Sequence, residues 1–474
     1  MLRSADAPRE RSEPAALVPG TITALASAFA CALACSPGRA DPHACSDADA
    51  TSTCRRDAPL AGEYPAADDV ILEWLAEDDA PPGCGLGVVV DGAIVHLRGL
   101  GLADRRRGRP YTLATLGALG SVSKTITAIA LHRLLAARGP EGPSLDQPLG
   151  ELLPAIPELL ADVPLRALLN HSAGLESLLY GEAYPRPYLD DEALGRLFEG
   201  EEHPTLWPRD TYWGLRERLV AGSPGTYANV NYHLVGAILD FYAIDGVDPA
   251  TIRALDFDAA ASGAFAGEGE AGYVAYTLEA VAHGASSPDD HLTSMCPRTP
   301  WMPELAALAR GEGDDGEDAT VAGFASGRIA SGGWMMTVGD FARLVALLDR
   351  EALVDRATLR ANPTRINIGL GTDAAAEAGE GTWVMQQGLS GGLETPAIHH
   401  LGRVDGYTAY YRLTEAIPDL VPSIGVALLC NGRVKNSKMV STTESIVDAV
   451  DRDLRDHGAP SRRADPALAG CDDT

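Results

Sequence analysis

Gly120-Ser121-Val122-Ser123-Lys124 heads a run from Ser121 to Arg138 in which Ile126, Ile129, Leu134 and Leu135 recur at helical spacing. Gly139-Pro140 stops it. Ser121 and Lys124 are three residues apart, so they share one face of that helix. A serine hydroxyl is a poor nucleophile and needs a neighbouring base. A lysine buried in an apolar site can lose its proton and serve, or stay charged and hold the site together. The helix N-terminus adds a positive field where an oxyanion would form. Taken alone, the tetrad also fits a serine N-cap followed by a surface lysine.

Two later stretches carry chemistry of the same kind. In Pro224-Gly225-Thr226-Tyr227-Ala228-Asn229, a phenol and an amide stand two residues apart. The phenol can relay a proton, and the amide can bind a substrate carbonyl or fix the lysine. In His400-Leu401-Gly402, followed by Arg403 and Gly406, a glycine leads into a strand and lets a substrate backbone lie against its edge. Each stretch alone is equally an aromatic or a histidine beside a turn.

In this order, the three stretches resemble the motifs of the serine β-lactamase and D,D-peptidase superfamily. The match is to the branch with Tyr-x-Asn as second motif, which holds class C β-lactamases, D-alanyl-D-alanine carboxypeptidases, D-aminopeptidases and β-lactamase-like esterases. Pro82 to Gly101 looks like the family's first hairpin. Leu145-Asp146-Gln147-Pro148-Leu149, the run Leu168 to Leu175, and Gly332-Gly333 with Thr337-Val338-Gly339-Asp340 look like further family stretches. The resemblance spans about residues 66 to 455. It implies an α/β (α+β) fold with a mainly antiparallel sheet flanked by helices and an inserted all-α domain. It makes Ser121 the nucleophile, Lys124 its partner and Tyr227 the proton relay. Asn229 would contact substrate and lysine, and His400 and Gly402 would line the site. The backbone N–H groups of Ser121 and Arg403 would bind the oxyanion. Small amide, ester or peptide substrates follow, with no cofactor and no metal. Class C β-lactamases carry Lys-Thr-Gly at the third motif. His-Leu-Gly here is closer to the peptidase members and weighs against efficient β-lactam hydrolysis.

The rest of the chain agrees with an exported enzyme. Arg3, Arg9 and Arg11 precede an apolar stretch from Ala15 to Cys35, so residues 1–35 read as a signal peptide. Ala32-Leu33-Ala34-Cys35 resembles a lipoprotein cleavage site, which offers a lipid anchor as one alternative. No later stretch reaches the roughly 18 apolar residues of a membrane span. Residues 36–63 lack periodicity and read as a linker, 64–456 as the hydrolase domain, and 457–474 as a polar tail. Within the domain, the α/β part is expected at about 64–120 and 350–456, with helices at 121–349. Lys+Arg number 38 against 66 Asp+Glu, a net charge of -28, which disfavours nucleic acid and anionic membrane as partners. Eight cysteines are present; Cys45 and Cys54 can close a small loop, whereas Cys84 and Cys430 sit in apolar runs and read as buried thiols.

Gly388-Leu389-Ser390-Gly391-Gly392 fits the nucleophile elbow of α/β-hydrolases, but glycines and Pro396 follow where a helix should open. It reads as a loop. Gly311 to Asp318 and Ala374 to Gly381 are acidic and glycine-rich and read as exposed loops, the first without EF-hand ligand spacing. His399-His400 is a poor metal pair, because adjacent strand residues face opposite ways. His171 reads as a structural residue ending a helix.

Overall fold

A computed structural model describes residues 64–175, 219–243, 269–297, 308–312, 329–366, 376–389, 392–404 and 406–457. The expected signal peptide, linker and tail beyond residue 457, and Ser390, lie outside the described residues.

Asp91 (φ 47°) and Gly92 (φ 72°) both adopt left-handed backbone, which suits the twist of a two-residue hairpin. They join β1 (Gly83–Val90) to β2 (Ala93–Asp104). After β3 (Arg109–Pro110) and β4 (Leu116–Ala118), the chain leaves the main sheet. It returns through β7 (Thr364–Ile366), β8 (Ala376–Ala378), β9 (Trp383–Leu389), β10 (Leu393–Val404), β11 (Tyr407–Thr414) and β12 (Ile424–Cys430). The resulting nine-stranded sheet has the order β3-β2-β1-β12-β11-β10-β9-β8-β7. Each of its recorded pairings is antiparallel. This is the mixed α/β arrangement with a large antiparallel sheet that the motifs imply.

Helices cover both faces. Of those that matter below, α1 (Pro65–Leu75) comes first, then α2 (Ser123–Arg138), α3 (Arg166–Leu169) and α4 (Asn229–Tyr242). They are followed by α5 (Ile329–Gly332), α6 (Val338–Asp349) and α7 (Asn436–His457). One face of the sheet buries Leu86, Val88, Tyr410, Val426 and Leu428 against Ile71 and Trp74 of α1 and Ile446, Val447 and Val450 of α7. The other face buries Val89, Tyr411, Ala427 and Leu429 with α2, α4 and α6. From Ser123 to His132 every residue of α2 is buried. It is a central helix packed on all sides, so its apolar positions do not make one clean stripe.

Three findings differ from the sequence reading. A small second sheet, β4-β6-β5, places β5 (Cys296–Pro297) and β6 (Trp334–Thr337) in the stretch expected to be helical. Cys84 and Cys430 are not free thiols. They are register partners on β1 and β12 and form a disulfide across 346 residues. The end of the Ala374–Gly381 stretch is not exposed. Glu380 is 1% exposed and accepts hydrogen bonds from Arg166 Nη1 (3.1 Å) and Asn362 Nδ2 (2.9 Å), which compensate its burial.

Candidate active site

Gly120 has φ 51°, and the chain makes one 3-10 turn over Gly120–Val122 before α2 begins. Ser121 therefore sits on that turn, and Lys124 is the second residue of the buried helix. Lys124 Nζ is 3.1 Å from Ser121 Oγ. It also donates to Asn229 Oδ1 at 2.7 Å and to the Ser331 carbonyl at 2.7 Å. The lysine is fully buried, and burial pushes its ammonium well below the ordinary lysine value. The two carbonyl oxygens can only accept. They take two amine N–H bonds, and the remaining position on nitrogen faces the serine hydroxyl. A neutral Lys124 thus presents its lone pair to Ser121.

Asn229 opens α4, two residues after Tyr227. The Tyr227 ring lies 5.0 Å from Lys124 Nζ, and Tyr232, one turn into α4, lies 5.7 Å from it. The second motif is therefore folded onto the first. His171 does this folding and is more than a helix terminator. It follows α3 with φ 59°, an uncommon conformation for a non-glycine residue. Its Nδ1 accepts from the Ala228 N–H at 3.3 Å and from Asn231 Nδ2 at 2.9 Å, and its ring packs 4.5 Å from that of Tyr227. Burial keeps His171 neutral, its pKa well below the ordinary histidine value.

The third motif lies within β10, which runs directly beneath the nucleophile turn. A Cβ at Gly402 would stand 1.8 Å from the Leu119 carbonyl and 2.9 Å from Ser121 N; one at Gly120 would stand 2.6 Å from Arg403 N. Only glycine permits this approach. It brings the backbone amides of Ser121 and Arg403 to one place, as an oxyanion hole requires. The register of β9 with β10 ends at Trp383↔His399, so among the described residues the edge of β10 from His400 onward on that side has no strand partner. His400 is buried, stacked on Trp383 with ring centroids 4.7 Å apart. Burial, then nearby Lys124, lowers its pKa to about 3. The Arg403 side chain turns aside to donate to Asn436 Oδ1 at 3.2 Å.

All seven sequence-selected residues (Ser121, Lys124, Tyr227, Asn229, His400, Gly402 and Arg403) therefore lie together around the nucleophile turn. The sequence reading missed the functional position of His171, Ser331 and Trp383. His171 lies in a family-like stretch and Ser331 borders another, but neither assignment is local. His233 on α4 bonds Ser331 Oγ at 2.7 Å, so Asn229 and His233, one helical turn apart, bracket the lysine's environment. His399 and His400 do not form a metal pair. His399 Nδ1 bonds Tyr410 OH at 3.0 Å on the other face of the strand, and no metal-ligand group of three occurs among the described residues.

The Gly388–Gly392 stretch joins antiparallel β9 to β10, with Leu389 paired to Leu393. The described residues on either side, Leu389 and Leu393, belong to neighbouring antiparallel strands, unlike the strand-to-helix setting of a nucleophile elbow.

A serine on a tight turn, a buried lysine beside it and a glycine-lined β-strand edge are the parts a serine acyl-transfer site needs. The family comparison agrees: the Beta-lactamase family model matches residues 71–243 and 283–451, and the chain belongs to that family. Among curated relatives, Esterase EstB of Burkholderia gladioli is 39% identical over 151 residues, 30% of this chain and 38% of that protein. The match thus covers well under half of the relative's length. Among solved structures, the D-amino acid amidase of Ochrobactrum anthropi SV3 is similar over 82% of this chain and 98% of that one, with TM-score 0.59 and 19% identity. An octameric penicillin-binding protein homologue from Pyrococcus abyssi is similar over 78% and 73%, with TM-score 0.52 and 22% identity. These two likenesses establish the fold.

Proposed function

We propose that the chain is an exported serine hydrolase that cleaves amide or ester bonds of small substrates through an acyl-enzyme on Ser121. The observation that carries this reading is the placement of buried Lys124 Nζ between Ser121 Oγ, Asn229 Oδ1 and the Ser331 carbonyl. Ser121 Oγ attacks the substrate carbonyl carbon while its proton passes to Lys124 Nζ. The carbonyl oxygen gains negative charge beside the amides of Ser121 and Arg403. Collapse of the tetrahedral species breaks the bond to the leaving group, which takes a proton from Lys124 or Tyr227. Water then hydrolyses the ester on Ser121 by the reverse proton path. EstB is named an esterase and the Ochrobactrum protein an amidase, which is the range of bonds this site suits.

Export rests on the signal-like residues 1–35, with Cys35 as the residue a lipid anchor would use. The Cys84–Cys430 disulfide supports it, since such bonds persist in oxidising compartments. No helix among the described residues is long and apolar enough to cross a membrane.

The test is turnover of 4-nitrophenyl butyrate. Ser121→Ala is expected to lower kcat about ten-thousandfold, whereas Ser390→Ala leaves it unchanged. The opposite pattern would transfer the chemistry to Ser390.

A further inference from the structure

The Ser331 carbonyl, one of the two acceptors that orient Lys124, sits on backbone that local sterics do not fix. It belongs to the peptide joining Ser331 to Gly332 at the end of the four-residue α5, and Gly333 follows. Glycine accepts backbone angles closed to other residues, so on its own this peptide can point more than one way. Hydrogen bonds on its flanks tie the segment to α2. Thr127 Oγ1 donates to the Ala330 carbonyl at 2.7 Å, and the Trp334 N–H donates to Ser123 Oγ at 3.1 Å. The Ser331 side chain reaches α4 instead, where its Oγ meets His233 Nε2 at 2.7 Å. Ser331 is 4% exposed and His233 2%, so bulk water does not compete for that bond.

His233 stands one helical turn beyond Asn229 on α4, on the same face. That face supplies one acceptor to Lys124 directly, the Asn229 amide oxygen, and anchors the residue that supplies the other. Among the described residues, the other titratable groups around Lys124 are Tyr227 ahead of α4, Tyr232 on it, His171 after α3 and His400 on β10. Burial keeps Tyr232, His171 and His400 neutral, so they give the ammonium no counter-charge. A carbonyl oxygen bonds an ammonium about twice as strongly as a neutral amine. A fixed Ser331 carbonyl therefore raises the Lys124 pKa against the burial that lowers it, and it helps aim the amine lone pair at Ser121.

We infer that His233 is a positioning residue for the acylation step: through the Ser331 hydroxyl it holds the Ser331 carbonyl on Lys124. It thereby sets the direction of the lysine lone pair and the pH at which that lone pair becomes available. This deepens the proposed function and rests on Ser121 being the nucleophile that Lys124 serves.

The sequence contains three lysines, Lys124, Lys435 and Lys438. NMR of the full chain grown with ε-13C-lysine therefore gives a titration of Lys124 that does not require Ser121 to react. The pH profile of kcat/KM for 4-nitrophenyl butyrate is read in parallel. Both are measured on wild type, His233→Leu, Ser331→Ala, the double variant and His233→Gln. His233→Leu and Ser331→Ala are each expected to move both midpoints down by about half a pH unit to one unit, the difference between a charge-assisted and a neutral hydrogen bond. Each is expected to lower kcat about threefold to tenfold. The double variant should match the single ones, because both changes cut the same link. His233→Gln, whose amide reaches as far as Nε2, should return the midpoints towards wild type. A histidine that only fills the core would leave the lysine titration alone. Midpoints unchanged in His233→Leu and Ser331→Ala, or shifts that add in the double variant, therefore overturn the inference. Ser331→Ala, a change of one oxygen atom, carries the comparison should His233→Leu lose the fold. If the 13C midpoints shift but wild type does not turn over the ester, the positioning stands and the nucleophile assignment fails. If wild type turns over the ester but the 13C midpoint stays put in the variants, the positioning fails alone.

Discussion

Lys124 is held by two obligate acceptors and one serine hydroxyl, and its protonation state decides whether Ser121 can be activated. A protonated Lys124 has no lone pair for the serine proton, so kcat/KM is expected to rise with pH as the lysine loses its proton. Because burial lowers the lysine pKa, that rise should be centred well below the ordinary lysine value. His400, near 3, and His171 are already neutral across the working range and add no limb of their own. A pH–rate profile of wild type against His400→Gln checks this: the limb should stay where it is. Asn229→Leu removes one acceptor from neutral Lys124 and is expected to lower kcat roughly twofold to tenfold, as one neutral hydrogen bond is worth about 0.5–1.5 kcal/mol. Steady-state kinetics read it. Ser121, Lys124 and Asn229 were legible because their roles follow from spacing along one helix or one short motif. His171 was not, since its partners Ala228 and Asn231 lie 57 and 60 residues away. Nothing in its neighbours' composition marks a ring that orients a distant tyrosine.

At the scale of elements, the site depends on β10 passing under the 3-10 turn at van der Waals distance. Gly402→Ala places a methyl group on the Leu119 carbonyl, so strand and turn must part. Separation spoils the pair of oxyanion amides while leaving the two cores in place. The expected result is a loss of about 10²–10³ in kcat, the cost typical of a lost oxyanion donor, with circular dichroism unchanged. A variant with normal kcat would show that these amides do not serve the reaction. The elements that carry this geometry have period and turn chemistry in the sequence: Asp91-Gly92 between two apolar runs, and apolar residues at helical spacing in α2. The ends of α7 (Asn436–His457) lie in polar turns that give no apolar period, so they are not set by the sequence pattern. The short β4-β6-β5 sheet escaped notice because strands of two to four residues show no alternation.

Across the whole molecule, the first and last thirds of the chain are joined at β1–β12, and the Cys84–Cys430 disulfide lies in that seam. It closes a loop of 346 residues, so its main effect is to restrict the unfolded chain. Replacing both cysteines by serine is expected to lower stability by about 2–4 kcal/mol. Thermal or urea unfolding measures the change, and activity at room temperature should persist. The pairing could not be read from sequence: an even set of cysteines permits many connectivities, and apolar flanks fit a buried thiol as well as a bridge. What the whole-chain pattern did convey was strands early and late with a long excursion between them, because hydrophobic period survives without knowledge of contacts.

The central claim is that Ser121 is the residue acylated. Intact-mass measurement of wild type and Ser121→Ala after incubation with a fluorophosphonate tests it directly. The expected result is one adduct on wild type that is absent from the variant. No adduct on folded wild type, or an adduct of equal yield on Ser121→Ala, would contradict it.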